Sequence, residues 1–127
     1  MPKKKSPIGK LKKDCDALVK RIVSIRDNDI CQKCQKRVYG SNRQRSHVIP
    51  VSAGNKLAFD PINLKILCMH CHLCWWHKNP LEAQNWFKEK FPERHEYLMS
   101  NRGIQQMRLQ DWIDLKTKLE NSLEELL

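Results

Sequence analysis

Residues 46–72, SHVIPVSAGNKLAFDPINLKILCMHCH, hold three histidines, two cysteines and two asparagines in one short stretch. Cys68-Met69-His70-Cys71 is a C-x-x-C pair, and Cys31-Gln32-Lys33-Cys34 is a second one upstream. Each pair turns two sulfurs the same way. Two such knuckles supply the tetrahedral S₄ shell preferred by Zn²⁺, with bonds of about 2.3 Å. A closed shell leaves no open position, so a metal held there should fold the chain rather than catalyse. Zinc accounts for the cysteines and leaves His47, Asn63 and His72 over. An imidazole can move a proton near neutral pH or ligate a divalent ion. Taken singly, each of these residues reads as surface or satisfied core; gathered around one zinc staple they point to a second site. Asn55 reads as a turn residue of SAGN. Cys15 reads as a buried small hydrophobe, and Cys74 as a spare thiol or a substitute ligand.

Several elements must position these groups. From Ile8 to about Asp27, Leu11, Cys15, Leu18, Val19, Ile22 and Val23 recur at helical spacing, with most basic residues off the stripe. Asn28-Asp29 ends this helix. Residues 30–67 are short apolar pieces divided by YGSN, SAGN and DP, the pattern of hairpins and loops. Residues 68–77 open a helix. In NPLEAQNWFKEKF, Asn79 is the expected N-cap, with Pro80 first and Glu82 third in the helix. A last helix is predicted from Ile104 to Leu126, its apolar stripe of Met107, Trp112, Leu115, Leu119, Leu123 and Leu126 serving as core or as a homodimer seam.

Composition narrows the partner. Lys plus Arg number 24 against 14 Asp plus Glu, a formal charge of +10 in 127 residues. Residues 107–127 carry −2, so the basic excess lies in the rest of the chain. Such a surface suits a polyanion, nucleic acid first. Lys3, Lys4 and Lys5 form a basic arm within residues 1–7 that should add salt-dependent affinity without sequence preference. Arg43 and Arg45 either contact phosphates or protect an edge strand by charge. Trp75, Trp76 and Trp86 read as packing residues first and stacking residues second. No stretch approaches the roughly 18–20 apolar residues of a membrane span. No apolar run follows the basic N-terminus, so a secretory signal is not expected, and paired C-x-x-C motifs in that setting suit a reducing compartment.

C-x-x-C followed by SHVIPVSAGNKLAFDPINLKILCMHCH resembles the HNH nucleases over roughly residues 28–80. More narrowly, LAFDPINLKILCMHCHLCWWHKNPLEAQNWFKE is similar to phage recombination proteins of the NinG/Rap type. The resemblance implies an α+β fold: a small zinc-stapled ββα-metal (HNH) core flanked by an N-terminal helix and C-terminal helices. Together with composition and periodicity, it divides the chain into a flexible basic arm (1–7), an HNH nuclease domain with its leading helix (8–101) and a C-terminal helix for packing or dimerisation (102–127). It implies a metal-dependent DNA endonuclease in a bacterial host's cytoplasm, phage or prophage encoded, acting in recombination or on branched or single-stranded DNA. His47 would be the general base, and His72 a ligand of a catalytic divalent ion such as Mg²⁺ or Mn²⁺. Asn63 would orient the His47 loop or touch that ion. Ser46 stands where many family members have an acidic or histidine ligand; His77, water or substrate oxygens could supply the missing contact. The alternative is a non-catalytic zinc-ribbon module that binds nucleic acid.

Overall fold

The computed structural model describes residues 6–127. Helix α1 (Pro7–Arg26) starts on Pro7, whose missing N–H is no loss in a first turn, and buries Cys15, Val19, Ile22 and Val23. It ends as anticipated at Asn28 and Asp29, both left-handed with φ of 55° and 52°, a conformation these two residue types tolerate. Strands β1 (Gln44–His47) and β2 (Leu64–Leu67) pair antiparallel, Gln44 opposite Leu67 and His47 opposite Leu64. Alternation then puts Gln44 and Ser46 on one face with Lys65 and Leu67, and Arg45 on the other face with Ile66. The end of α1 clamps the hairpin: Arg26 donates to the carbonyls of Pro61 and Leu64, and the Asp27 carboxylate accepts from the Ile66 amide at 2.9 Å.

After β2 the chain forms a π-helical segment (Cys71–Trp76), then α2 (Pro80–Lys90), α3 (Pro92–Ser100) and α4 (Leu109–Leu126). The helix expected over 68–77 is thus wound more widely than an α-helix, with the His77 amide bonded to the His72 carbonyl five residues back. Asn79 precedes α2 as expected, but its side chain makes no capping bond. Pro92 separates α2 from α3, a helix the sequence reading did not anticipate.

Helix α4 begins at Leu109 rather than Ile104. The preceding segment is bound elsewhere: Asn55 exchanges two bonds with Gln105 (2.8 and 2.9 Å), and the Lys56 amide donates to the Gly103 carbonyl. Asn55 is therefore a clamp as well as a turn residue. Gly54 is held so close that a Cβ would lie 2.4 Å from the Gly103 oxygen. The middle of the predicted stripe lies on α1, Trp112, Leu119 and Leu123 joining Cys15, Val19, Ile22 and Val23 in one core that also includes the hairpin, whereas Met107 precedes α4 and Leu126 at its end is exposed.

Candidate metal centre and histidine site

The knuckle Cys31–Cys34 and the turn Cys68–Cys71 bring four sulfurs within 4.8 Å of one another, and Cys34 and Cys68 are 3.8 Å apart at Sγ. A tetrahedron of Zn–S bonds near 2.3 Å has edges of about 3.8 Å. The donor set is soft and complete. These cysteines could hold a structural zinc. Burial opposes ionisation of Cys31, but backbone amides of Cys34, Cys68 and Lys33 outweigh it and bring the thiol down to about 7. Burial and the neighbouring sulfurs push Cys34 and Cys71 up. Four crowded sulfurs cannot all carry charge unless a cation neutralises them, which is the electrostatic condition for a metal centre. Cys15 is fully buried and its thiol is raised by burial; Cys74 is exposed and outside the quartet.

Immediately after Cys71 the π-helical winding brings His72 and His77 together, their rings tilted by 47° and their Nε2 atoms 3.0 Å apart. In an α-helix residues five apart diverge by roughly 140° and would not meet. This separation is that of a hydrogen bond between the rings, and it also equals that of two ligands at a right angle about 2.1 Å from one octahedral ion. His72 Nδ1 lies 3.1 Å from Gln44 Oε1, an acceptor, so Nδ1 carries the proton and Nε2 keeps its lone pair. Burial lowers His72 to about 4, and the charges of His77, Lys65 and His47 add to the shift, so the ring is neutral and available as a ligand. Two imidazoles alone would make an incomplete shell.

His47, at the end of β1, sends Nε2 to the Ala58 carbonyl at 3.0 Å. A carbonyl can only accept, so Nε2 bears the hydrogen and Nδ1 is free to take a proton. Asn63 is fully buried. Its amide donates to the carbonyls of Ile49 (3.0 Å) and Leu57 (3.1 Å), and its Oδ1 accepts from the Ile49 amide at 2.8 Å. It therefore grips the chain just after His47 and just before Ala58. Of its two expected roles, this geometry is that of orienting the His47 loop.

Ser46 is buried and receives the Lys65 amino group at 3.0 Å. Lys65, also fully buried, lies with Nζ 3.2 Å from the centroid of Trp76. Burial drives its pKa well below the ordinary lysine value, with Asp27 and Cys31 opposing. The sequence reading overlooked Lys65, whose signal was one charge inside the apolar run NLKIL; it also overlooked Gln44. Arg43 is paired with Asp29 (2.8 Å) and Arg45 donates to Ser24 at 3.1 Å, so both are engaged within the fold. Lys3, Lys4 and Lys5 lie outside the described residues. Among the described residues no helix is long and apolar enough to cross a membrane. Comparison with known proteins returns no matching family model, no matching curated protein and no matching solved structure.

Proposed function

We propose that this chain is a metal-dependent DNA endonuclease of HNH type. The observation that carries the reading is the His72–His77 pair, 3.0 Å apart at Nε2, on the segment that meets Gln44 of the strand ending in His47. His47, its Nε2–H held by Ala58, accepts a proton at Nδ1 from water, which attacks the phosphorus in line. Asn63 fixes both ends of the loop that carries this contact, so the base keeps its aim. When bound by His72 and His77, a divalent ion such as Mg²⁺ or Mn²⁺ supplies positive charge to the scissile phosphate and the departing 3′ oxygen. Products would carry 5′-phosphate and 3′-hydroxyl ends. The cysteine quartet, filled with zinc, would act as scaffold. A role in phage or prophage recombination, within a bacterial cytoplasm, rests on the sequence resemblance alone.

The test incubates zinc-loaded protein with linear, nicked, single-stranded and four-way-junction DNA, with and without Mg²⁺ or Mn²⁺. His47→Ala should abolish cleavage while zinc content and DNA binding persist. Full cleavage by that variant would sink the assignment.

The Ser46–Lys65 pair favours a second reading, a non-catalytic nucleic-acid-binding module stapled by zinc. The Ser46 hydroxyl is buried and already engaged by the Lys65 amino group at 3.0 Å, so it offers no ligand to a divalent ion. No cleavage of any substrate, with DNA binding intact, would decide for this reading.

A further inference from the structure

Beside the zinc knuckle, Trp75, Trp86 and Phe91 form a chain of rings. Trp75 and Trp86 meet edge to face with centroids 5.2 Å apart, and Trp86 and Phe91 do the same at 6.1 Å. These three are only partly buried, whereas their neighbours Trp76 and Phe87 belong to the core. Cations cover the chain along its length. Lys33 Nζ lies 4.8 Å from the Trp75 centroid, Lys90 Nζ 5.3 Å from that of Trp86, and the Arg94 guanidinium 4.4 Å from that of Phe91. Trp75 stands three residues after His72 in the same π-helical segment.

We propose that this strip is a binding platform for single-stranded DNA, with Trp86 and Trp75 stacking on unpaired bases and Lys33 and Lys90 meeting the phosphates. The inference deepens the DNA reading of the previous section by naming which part of a substrate the protein holds. Magnitudes favour the exchange. An exposed ammonium on an aromatic face contributes about 2–5-fold in affinity, and a base stacked on an aromatic side chain about 5–150-fold. A base can therefore displace a lysine from the ring, and the released ammonium pairs with the adjoining phosphate. Duplex DNA keeps its bases stacked on each other and gains only the charge contacts. The strip thus distinguishes unpaired from paired strands by chemistry that reads no sequence.

The experiment measures binding of oligothymidylate and of a duplex to zinc-loaded protein without added Mg²⁺ or Mn²⁺, by anisotropy and by tryptophan fluorescence. Wild-type fluorescence should be quenched by the single strand and much less by the duplex. Trp86→Ala should weaken single-strand binding at least about five-fold and duplex binding less than about two-fold, while Trp86→Phe retains most of the affinity. Lys33→Gln, a surface change that does not threaten folding, should weaken single-strand binding and flatten its salt dependence. Absence of quenching overturns the platform, as does equal weakening of both DNAs by Trp86→Ala in a protein of normal zinc content. Cleavage that survives with the platform lost refutes this inference alone; single-strand binding that survives without any cleavage refutes the nuclease reading alone.

Discussion

Asn63 shows how one side chain can govern a site it does not enter. Three buried hydrogen bonds tie Ile49 and Leu57 together around the segment in which His47 meets Ala58. Asn63→Ala would leave those backbone groups unpaired in the interior, where each unmet bond costs about 1–3 kcal/mol. A loss of at least about 2 kcal/mol in denaturant unfolding is expected, with zinc stoichiometry unchanged. Gln44 acts on His72 in the same indirect way, holding the Nδ1 proton so that Nε2 faces His77. Under the proposed nuclease function, Gln44→Leu should weaken divalent-ion binding about 10–100-fold by calorimetry, the usual cost of removing a ligand's orienting partner. Tyr97 gives a pH signature away from both sites. Its hydroxyl donates to Asp60 at 2.6 Å, and that bond, aided by burial, raises its pKa from 10 to about 12. The folded state therefore holds the proton more tightly than the unfolded chain. The resulting stability is present below pH 10 and disappears as pH rises from 10 to 12. Thermal melts of Tyr97→Phe should be less stable at neutral pH and should lack this alkaline loss.

At the scale of elements, the loop over residues 51–60 decides where His47 points, and it is held from outside. Gly54, Asn55 and Lys56 dock on Gly103 and Gln105, a pairing that also keeps residues 104–108 from joining α4. Gly54→Ala would force a side chain into a backbone with φ of 131° and to within 2.4 Å of a carbonyl oxygen. Strain of that kind costs about 1–3 kcal/mol. Cleavage should fall with this variant although Gly54 lies away from the histidines, and a structure with an unmoved loop would refute the link. The π-helical segment is the other decisive element. Its wide winding turns the i, i+5 spacing of His72 and His77 into a contacting pair.

For the whole molecule, two cross-braces share the task of holding a small chain together. The cysteine quartet joins the 31–34 knuckle to the end of β2, and the α1–α4 packing closes the other side. Removing zinc with a chelator should lower the melting temperature by at least about 10 °C, equivalent to only about 2 kcal/mol in a domain of this size. Deleting residues 104–127 would strip Trp112, Leu119 and Leu123 from α1. At about 1.5–3 kcal/mol per buried side chain, that approaches the whole stability of a domain. The truncated chain should lose cooperative unfolding by circular dichroism. With that stripe committed to α1, a homodimer through α4 would have to use Leu109, Ile113 and Leu126, which are 44%, 39% and 43% exposed. A monomeric mass in light scattering is expected.

Much of this was legible in the residues themselves. The two C-x-x-C pairs declare their shared site because ligand spacing within a knuckle is local and its chemistry needs no tertiary detail. The extent of α1, its buried Cys15 and its stop at Asn28-Asp29 follow from periodicity and from the few residue types that accept a left-handed backbone. Other features depend on what the chain meets when it folds. The segment ahead of α4 is held by hydrogen bonds from a loop about 50 residues away, while the helix start itself is capped locally, the Asp111 carboxylate accepting from the Arg108 amide at 2.9 Å. Arg43 and Arg45 look like free cations until α1 and its end supply Asp29 and Ser24. Lys65 looks exposed until Ser46 and Trp76 enclose it. His77 becomes a partner of His72 only through a helix wound five residues at a time, a choice that local propensity does not encode. In each case the deciding contact is long-range or depends on a non-standard winding, and neither is written in the spacing of the residues it affects.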